Sequence, residues 1–399
     1  MKRKYRRFFV YSLLRIGCVF FFTCAFAQEA HEELIIDVDA KFVPTHKIFR
    51  PNIDLSGRGF HEDISWPRTL ASRSVLETWQ QDIGFRGRYR VQYNLWEVHQ
   101  LSKEKGPHAK FVENYDALFQ KVTSAGGVVI LNLFGTPAGL GQVLDKRSPP
   151  WDMKAFKEVV KGLMRQLSGV KKYAIWYEVW NAPDLDEFFL GRKQEYFNLY
   201  RAVAEAAREL GAEYKIKIPV GGPSVSGWFQ SLEGNTVVTP EKSLIYELIQ
   251  YCSHQRLPLD FITWHGYTTD PLADKEKTIY KNTPATLIRE WLTYFNLDRA
   301  IPLIVDEWNY DRSANVLSER AEYSSVAASY LLSRIKNMYE AGLDNQIFFS
   351  LEDFQGNPEG VIRNVGLFSF NTRTPLERSA PKSMHNVFRM LAALGGELY

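Results

Sequence analysis

Three apolar runs of this 399-residue chain each end in a tight group of acidic, amide, imidazole and aromatic side chains. Ile301-Pro-Leu-Ile-Val305 passes directly into Asp306-Glu307-Trp308-Asn309, and Ala174-Ile-Trp-Tyr-Glu-Val-Trp180 into Asn181-Ala182-Pro183-Asp184. Phe261-Ile-Thr-Trp264 passes into His265-Gly266-Tyr267. A carboxylate directly after an apolar run stands at the rim of a core, where its oxygen can meet an electrophilic carbon, so Glu307 is a candidate nucleophile. Taken alone, Glu307 reads as a capping or salt-bridged acid and His265 as a satisfied rim histidine. Together with Asn181 they form a ring of hydrogen-bonding groups suited to the hydroxyls and reacting carbon of a sugar.

These groups need a scaffold that brings distant strand ends together. From about His46 onward, strand-like apolar runs alternate with helical periodicity, the pattern of consecutive βα units and a parallel sheet. Eight runs are candidate strands: Lys47 to Leu55, Arg88 to Asn94, Gly127 to Phe134, Ala174 to Trp180, Lys215 to Val220, Leu259 to Trp264, Ile301 to Val305 and Gln346 to Leu351. Amphipathic stretches lie between them; Phe156, Val159, Val160, Leu163, Met164 and Leu167 share one helical face. Gly169 and Gly211 follow helical runs as candidate caps, and a last helix is expected from Ala380 to Leu394. Eight strands with eight helices predict a closed (β/α)8 TIM barrel with little or no accessory β-sandwich. In such barrels the chemistry sits at the carboxyl ends of the strands. An open doubly wound sheet is the alternative, but no Gly-rich phosphate fingerprint follows any run; Gly221-Gly222-Pro223 has the wrong continuation. No HExxH, paired-cysteine zinc pattern or G-x-S-x-G elbow is found, so neither metal nor organic cofactor is implied.

The first 27 residues combine a basic start, an apolar stretch from Gly17 to Ala27 and Ala25-Phe26-Ala27, which predicts a secretory signal cleaved before Gln28. Arg15 leaves that stretch well short of the roughly 20 apolar residues of a membrane span. Residues 28–45 read as an extension and 46–399 as the barrel. The whole chain carries +3, but the segment holds six basic and no acidic residues, leaving 43 basic against 46 acidic, a net −3. The basic balance thus belongs to the signal and does not point to nucleic acid. Export to the periplasm or medium is expected, with no stable membrane insertion after cleavage; oligomeric state stays open. Cys252, the one cysteine beyond the signal, lies in the pattern Leu244, Ile245, Leu248, Ile249 and reads as a core residue.

The sequence resembles glycoside hydrolase family 39, retaining enzymes that include β-xylosidases, α-iduronidases and bacterial exopolysaccharide hydrolases. Tyr177-Glu-Val-Trp-Asn-Ala-Pro-Asp-Leu185 resembles the family's E-V-W-N-E-P-N-L, and Asp306-Glu-Trp-Asn309 is similar to its T-E-W-N. Val220-Gly-Gly-Pro223, Asp260-Phe-Ile-Thr-Trp-His-Gly-Tyr267 and the ending Gly366-Leu-Phe, Ala380-Pro-Lys, Leu394-Gly395 add to it in the family's order. The resemblance implies Glu307 as nucleophile, with Asn181, His265, Tyr267, Trp308, Arg90 and Trp180 as substrate contacts and a carbohydrate, preferably a bacterial exopolysaccharide, as partner. Arg90 would pair with the nucleophile, and Gln92 would replace a histidine.

The resemblance also places the general acid/base at the residue after Asn181, which is Ala182. An alanine cannot give a proton, and general acid catalysis contributes about 10²- to 10⁴-fold. Either a nearby acid substitutes, or the chain is a pseudoenzyme that binds polysaccharide without cleaving it, or a glutamate has been replaced. Asp184 is the candidate substitute; Glu178, four residues earlier on the same strand, would lie roughly 13 Å deeper in the barrel.

Overall fold

The expected runs close on themselves. The computed structural model describes residues 50–57, 66–67, 69–101, 109–229, 239–310, 325–355, 362–363, 365–369 and 379–393. Eight parallel strands form the barrel: β1 (Ile53–Asp54), β2 (Arg88–Asn94), β3 (Val128–Phe134), β4 (Ile175–Val179), β5 (Val220–Val225), β6 (Phe261–His265), β7 (Leu303–Trp308) and β8 (Asn345–Phe348). Each pairs with its sequence neighbour, and Ile53 opposite Phe348 closes the ring. Helices follow every strand: α1 (Arg73–Asp82), then α2 (Leu95–Leu101) with α3 (Ala109–Ser124), α4 (Met153–Met164), α5 (Lys193–Tyr214), α6 (Leu244–Gln255), α7 (Pro284–Tyr294), α8 (Ser325–Glu340) and α9 (Ser383–Ala393). A two-stranded antiparallel pair, Phe354–Gln355 with Ile362–Arg363, follows β8. This is the expected TIM barrel. The signal segment, the extension, residues 47–49 of the first run and Leu394 lie outside the described residues.

Local chemistry explains most element boundaries. Asp152 accepts hydrogen bonds from the amides of Lys154 and Ala155 and so caps α4, which buries Phe156, Val160 and Met164. Cys252 is fully buried in α6 with Leu248 and Ile249. The two expected glycine caps are corrected. Gly169 lies within a π-helical continuation of α4 and Gly211 within α5, whose left-handed cap is Lys215. Close packing is the reason at Gly169, where a β-carbon would stand 2.9 Å from the Tyr214 ring.

The fifth run is displaced as well: the strand begins at Val220, where the expected run ends. Gly221-Gly222-Pro223, which follows the expected run, is itself buried strand, and Gly221 backs directly onto β6. A β-carbon there would meet the Phe261 carbonyl oxygen at 2.3 Å, so only glycine lets the two backbones approach.

Inside the barrel, Ile130, Phe261, Ile304 and Ile347 pack with Trp176 as an apolar layer. Residues one strand period further along β3, β4 and β7, namely Asn132, Glu178 and Asp306, form a polar layer toward the carboxyl ends. A second polar lock fastens the chain after β8. Asp353 Oδ1 accepts from the Gly366 amide and from Lys382 Nζ, each at 2.7 Å, with Asp353 and Lys382 buried. A β-carbon on Gly366 would lie 2.2 Å from the Asp353 nitrogen. Gly366→Ala is therefore expected to destabilise the fold by at least about 1–3 kcal/mol in urea unfolding. An unchanged midpoint would show that this loop can move away.

Candidate active site

A single guanidinium organises the mouth of the barrel. Arg90, inward-facing on β2 and fully buried, donates from Nε to Glu178 Oε2 at 2.8 Å and from one terminal nitrogen to Glu307 Oε2 at 3.0 Å and Asp54 Oδ2 at 3.2 Å. Its other terminal nitrogen reaches Asn181 Oδ1 at 2.5 Å and Ser224 Oγ at 3.1 Å. Asp306 Oδ2 lies 3.7 Å from Nε. Burial opposes the charge on Arg90, but the surrounding carboxylates raise its pKa further, so it is a permanent cation. Burial pushes the Asp54 carboxyl up to about 6 against the pull of Arg90.

Two irregularities in strand pairing put more groups here than a period of two allows. Trp264 pairs with Val305 but His265 pairs with Glu307, so β7 carries one extra residue. Asp306 and Glu307 consequently both reach Arg90, although adjacent strand residues ordinarily face opposite sides. A similar shift between Pro223 and Val225 inserts Ser224, which has φ 53° and donates to Asp306 Oδ2 at 2.6 Å. Tyr267, just past β6, donates its hydroxyl hydrogen to Glu307 Oε1 at 2.7 Å. His265 Nε2 stands 3.6 Å from Glu307 Oε2 and 3.2 Å from Ser224 Oγ.

Access separates the acids. The side chain of Glu307 is 12 % exposed, whereas those of Asp54, Glu178 and Asp306 are at 0 %. Glu307 alone among the four can meet a ligand. His265 and Tyr267, which contact it, also line a cavity of about 450 Å³ walled by Trp228, Phe229, Trp264 and Asp274. A carboxylate held by a buried cation and a phenol beside such a space is equipped for nucleophilic attack. Among the described residues no cluster of histidine, cysteine, aspartate and glutamate has the arrangement of a metal site.

The structure brings together Glu307, Arg90, Asn181, His265 and Tyr267 and corrects several expected roles. Arg90 is too deep to touch a substrate; it acts on Glu307. Trp308 points out of the barrel, fully buried, with its indole nitrogen donating to Gln346 Oε1 at 2.6 Å and its ring against Phe348. Trp180 is 1 % exposed, bonds to the Phe188 carbonyl at 3.0 Å and packs on Phe134 and Phe189. Both tryptophans are wall residues, not sugar platforms. Gln92 is half-buried and level with Asn132 on β3.

Around Ala182 the chain has left the strand. β4 ends at Val179, and Trp180 and Ala182 have φ of 69° and 39°, so the 13 Å spacing of an extended strand does not apply to Glu178. Glu178 is nevertheless sealed beneath Arg90. Ala182 is 1 % exposed and its amide donates to the Ser224 carbonyl at 2.8 Å. Asp184 is tied to the loop after β5, accepting from the Ser226 amide at 2.9 Å and from the Ser226 hydroxyl. Sequence reasoning passed over Asp54, Asn132, Ser224 and Asp306; the acid beside Glu307 was visible, but the bulge that brings both acids to Arg90 was not.

The fold and site define a (β/α)8 barrel with one accessible, cation-held carboxylate at the carboxyl ends of its strands. Residues 141–399 match the family described as Glycosyl hydrolases family 39, and the chain belongs to that family. A β-xylosidase of Geobacillus stearothermophilus is 26 % identical over 269 residues, 63 % of this chain and 48 % of the relative. One from Caldicellulosiruptor saccharolyticus is 25 % identical over 264 residues, again 63 % and 48 %. The chain thus spans about half the length of these curated relatives. The solved family 39 enzyme of Xanthomonas axonopodis pv. citri superposes with a TM-score of 0.63 at 19 % identity, over 88 % of this chain and 67 % of that one. A family 39 β-xylosidase of Caulobacter crescentus gives 0.61 at 19 %, over 88 % and 74 %. At such identities the structural likeness establishes the fold.

Two outcomes follow from the charge arrangement. Arg90→Leu leaves buried carboxylates without their cation and is expected to cost about 3–5 kcal/mol in denaturant unfolding; a loss below about 1 kcal/mol would remove Arg90 as organiser. Asp54, with its folded pKa raised, favours the folded state fully below its unfolded value near 3.8 and loses that contribution as pH rises through about 6. Between those limits the stability of the wild type relative to Asp54→Asn should fall by on the order of 3 kcal/mol. Parallel stability curves would contradict the shift.

Proposed function

We propose that the protein is an exported glycosidase of the retaining type that acts on an oligosaccharide or polysaccharide, with Glu307 as nucleophile. The observation that carries this reading is the setting of Glu307, partly exposed, hydrogen-bonded by Arg90 and Tyr267, and close to His265, which with Tyr267 lines the cavity. In this reading an oxygen of Glu307 attacks the anomeric carbon, the leaving oxygen takes a proton, and water later cleaves the glycosyl ester. Arg90 occupies the Asn181 oxygen, which frees the amide hydrogens to bond a sugar hydroxyl as the transition state forms. His265 lines the same space and serves as a second sugar contact. The names of the relatives make β-xylosides the first substrates to try, and bacterial exopolysaccharide remains the preferred polymer. The basic and apolar first 27 residues support export to the periplasm or medium.

Ala182 favours a second reading. With Ala182 at the proton-donor position and Asp184 held by Ser226, natural glycosides with poor leaving groups would turn over slowly or merely bind. A carbohydrate-binding pseudoenzyme is the form that this reading takes.

The deciding experiment compares the wild type and Ala182→Glu on dinitrophenyl β-xyloside, xylo-oligosaccharides and a panel of polysaccharides. The glycosidase reading expects a dinitrophenyl glycoside to leave a covalent sugar on Glu307, detected by peptide mass, and no adduct in Glu307→Gln. Ala182→Glu is expected to speed unactivated substrates by about 10²-fold or more. Binding without adduct or turnover in either protein would favour the pseudoenzyme, and an adduct that survives Glu307→Gln would refute the nucleophile assignment.

A further inference from the structure

Four carboxyl groups surround one buried cation, and three of them are closed to water. Asp54 from β1, Glu178 from β4, and Asp306 and Glu307 from β7 all lie within 3.7 Å of Arg90. The other groups facing them are Asn132 from β3 and Ser224 from β5, both uncharged, and the titratable His265, Tyr267 and Tyr196. One positive charge cannot compensate four buried anions, and carboxyls in such a setting take up a proton instead of remaining charged.

The hydrogen bonding shows where that proton sits. Glu178 Oε1 and Asp306 Oδ1 are both buried without a hydrogen-bond partner. A buried carboxylate oxygen without a donor favours the protonated form, so one of the two acids carries the proton. Glu178 has partners that favour its charge: its Oε2 accepts from Arg90 Nε and Asn132 Nδ2, each at 2.8 Å. Asp306 has a neutral hydroxyl, Ser224, at 2.6 Å, and Arg90 only at 3.7 Å.

We propose that Asp306 is a positioning residue, a neutral carboxylic acid whose lack of charge leaves the charge of Arg90 to Glu178 and Glu307. Burial and the charge of Glu178 both push Asp306 well above the usual carboxylate range. Burial opposes ionisation of Glu178 too, but Arg90 and the hydrogen bonds it receives outweigh that and hold it below its ordinary value. Asp306 does not touch substrate; it acts through Glu178 and Arg90. The role in catalysis rests on Glu307 being the nucleophile, whereas the protonation state does not.

Carboxyl carbon-13 NMR of the full chain labelled only at aspartate tests the protonation directly. One aspartate is expected to keep the shift of a protonated acid after every other aspartate, Asp54 included, has ionised, and that signal to vanish in Asp306→Asn. In Glu178→Gln the same carboxyl should ionise at lower pH, having lost a neighbouring negative charge. If no aspartate of the wild type stays protonated above the titration of Asp54, the proposal is wrong, whether or not the variants fold. The positioning role is read from the rate of Glu307 labelling by dinitrophenyl β-xyloside against pH. Replacing a neutral acid by a neutral amide should leave the acid limb where it is, even if the rate falls; a limb that moves down by about one pH unit would mean that Asp306 was an anion. Failure of any labelling would count against the glycosidase reading and leave the NMR outcome to decide the proton.

Discussion

The site depends on keeping one guanidinium charged where water cannot reach it. A buried cation is tolerated only if anions and hydrogen-bond acceptors saturate its donors, and Arg90 meets that condition with groups from β1, β4, β5 and β7 and from the loop after β4. The same contacts tie those elements together at their carboxyl ends. Charge compensation and the geometry of the mouth are therefore one constraint: moving any of these strands would expose a carboxylate or orphan a donor.

That constraint assigns different roles to four chemically similar acids. Asp54, Glu178 and Asp306 are sealed and serve the cation, while Glu307 combines a bond to Arg90 with partial exposure beside two residues that line the cavity, His265 and Tyr267. Retaining chemistry ordinarily uses a second acid about 5 Å from the nucleophile. In this chain the carboxyl groups are abundant but are gathered around Arg90 together with Glu307. The position expected for a proton donor is Ala182, and its neighbour Asp184 is bound to Ser226. The number of acids in a site thus says little about proton transfer unless their exposure and partners are known.

Glycines set the distances that the polar layer requires. Gly221 lets β5 lie against the Phe261 carbonyl, which brings Ser224 to Arg90 and Asp306 three residues later. Gly366 lets the chain after β8 pass over Asp353 and engage Lys382, closing the barrel beside β1. In both places a side chain would occupy space already filled by backbone.

The sequence alone determined the barrel, because alternating runs of strand and helix period leave few other ways to bury their apolar faces. It also placed Glu307, Asn181, His265 and Tyr267 at strand ends, since a polar cluster that ends an apolar run has to emerge at a rim. What it could not determine was which way each side chain faces once the strands depart from regular pairing. The extra residues in β5 and β7 have no local signature; they arise from fitting neighbouring strands around a closed ring, and they turn Ser224 and Glu307 inward and Trp308 outward. Burial was hidden for the same reason. Trp180 and Trp308 have the composition of sugar platforms, and only packing against Phe134, Phe189 and Phe348 makes them wall. Local sequence specified the elements and the stock of reactive groups, and the closure of the barrel decided which of those groups meet.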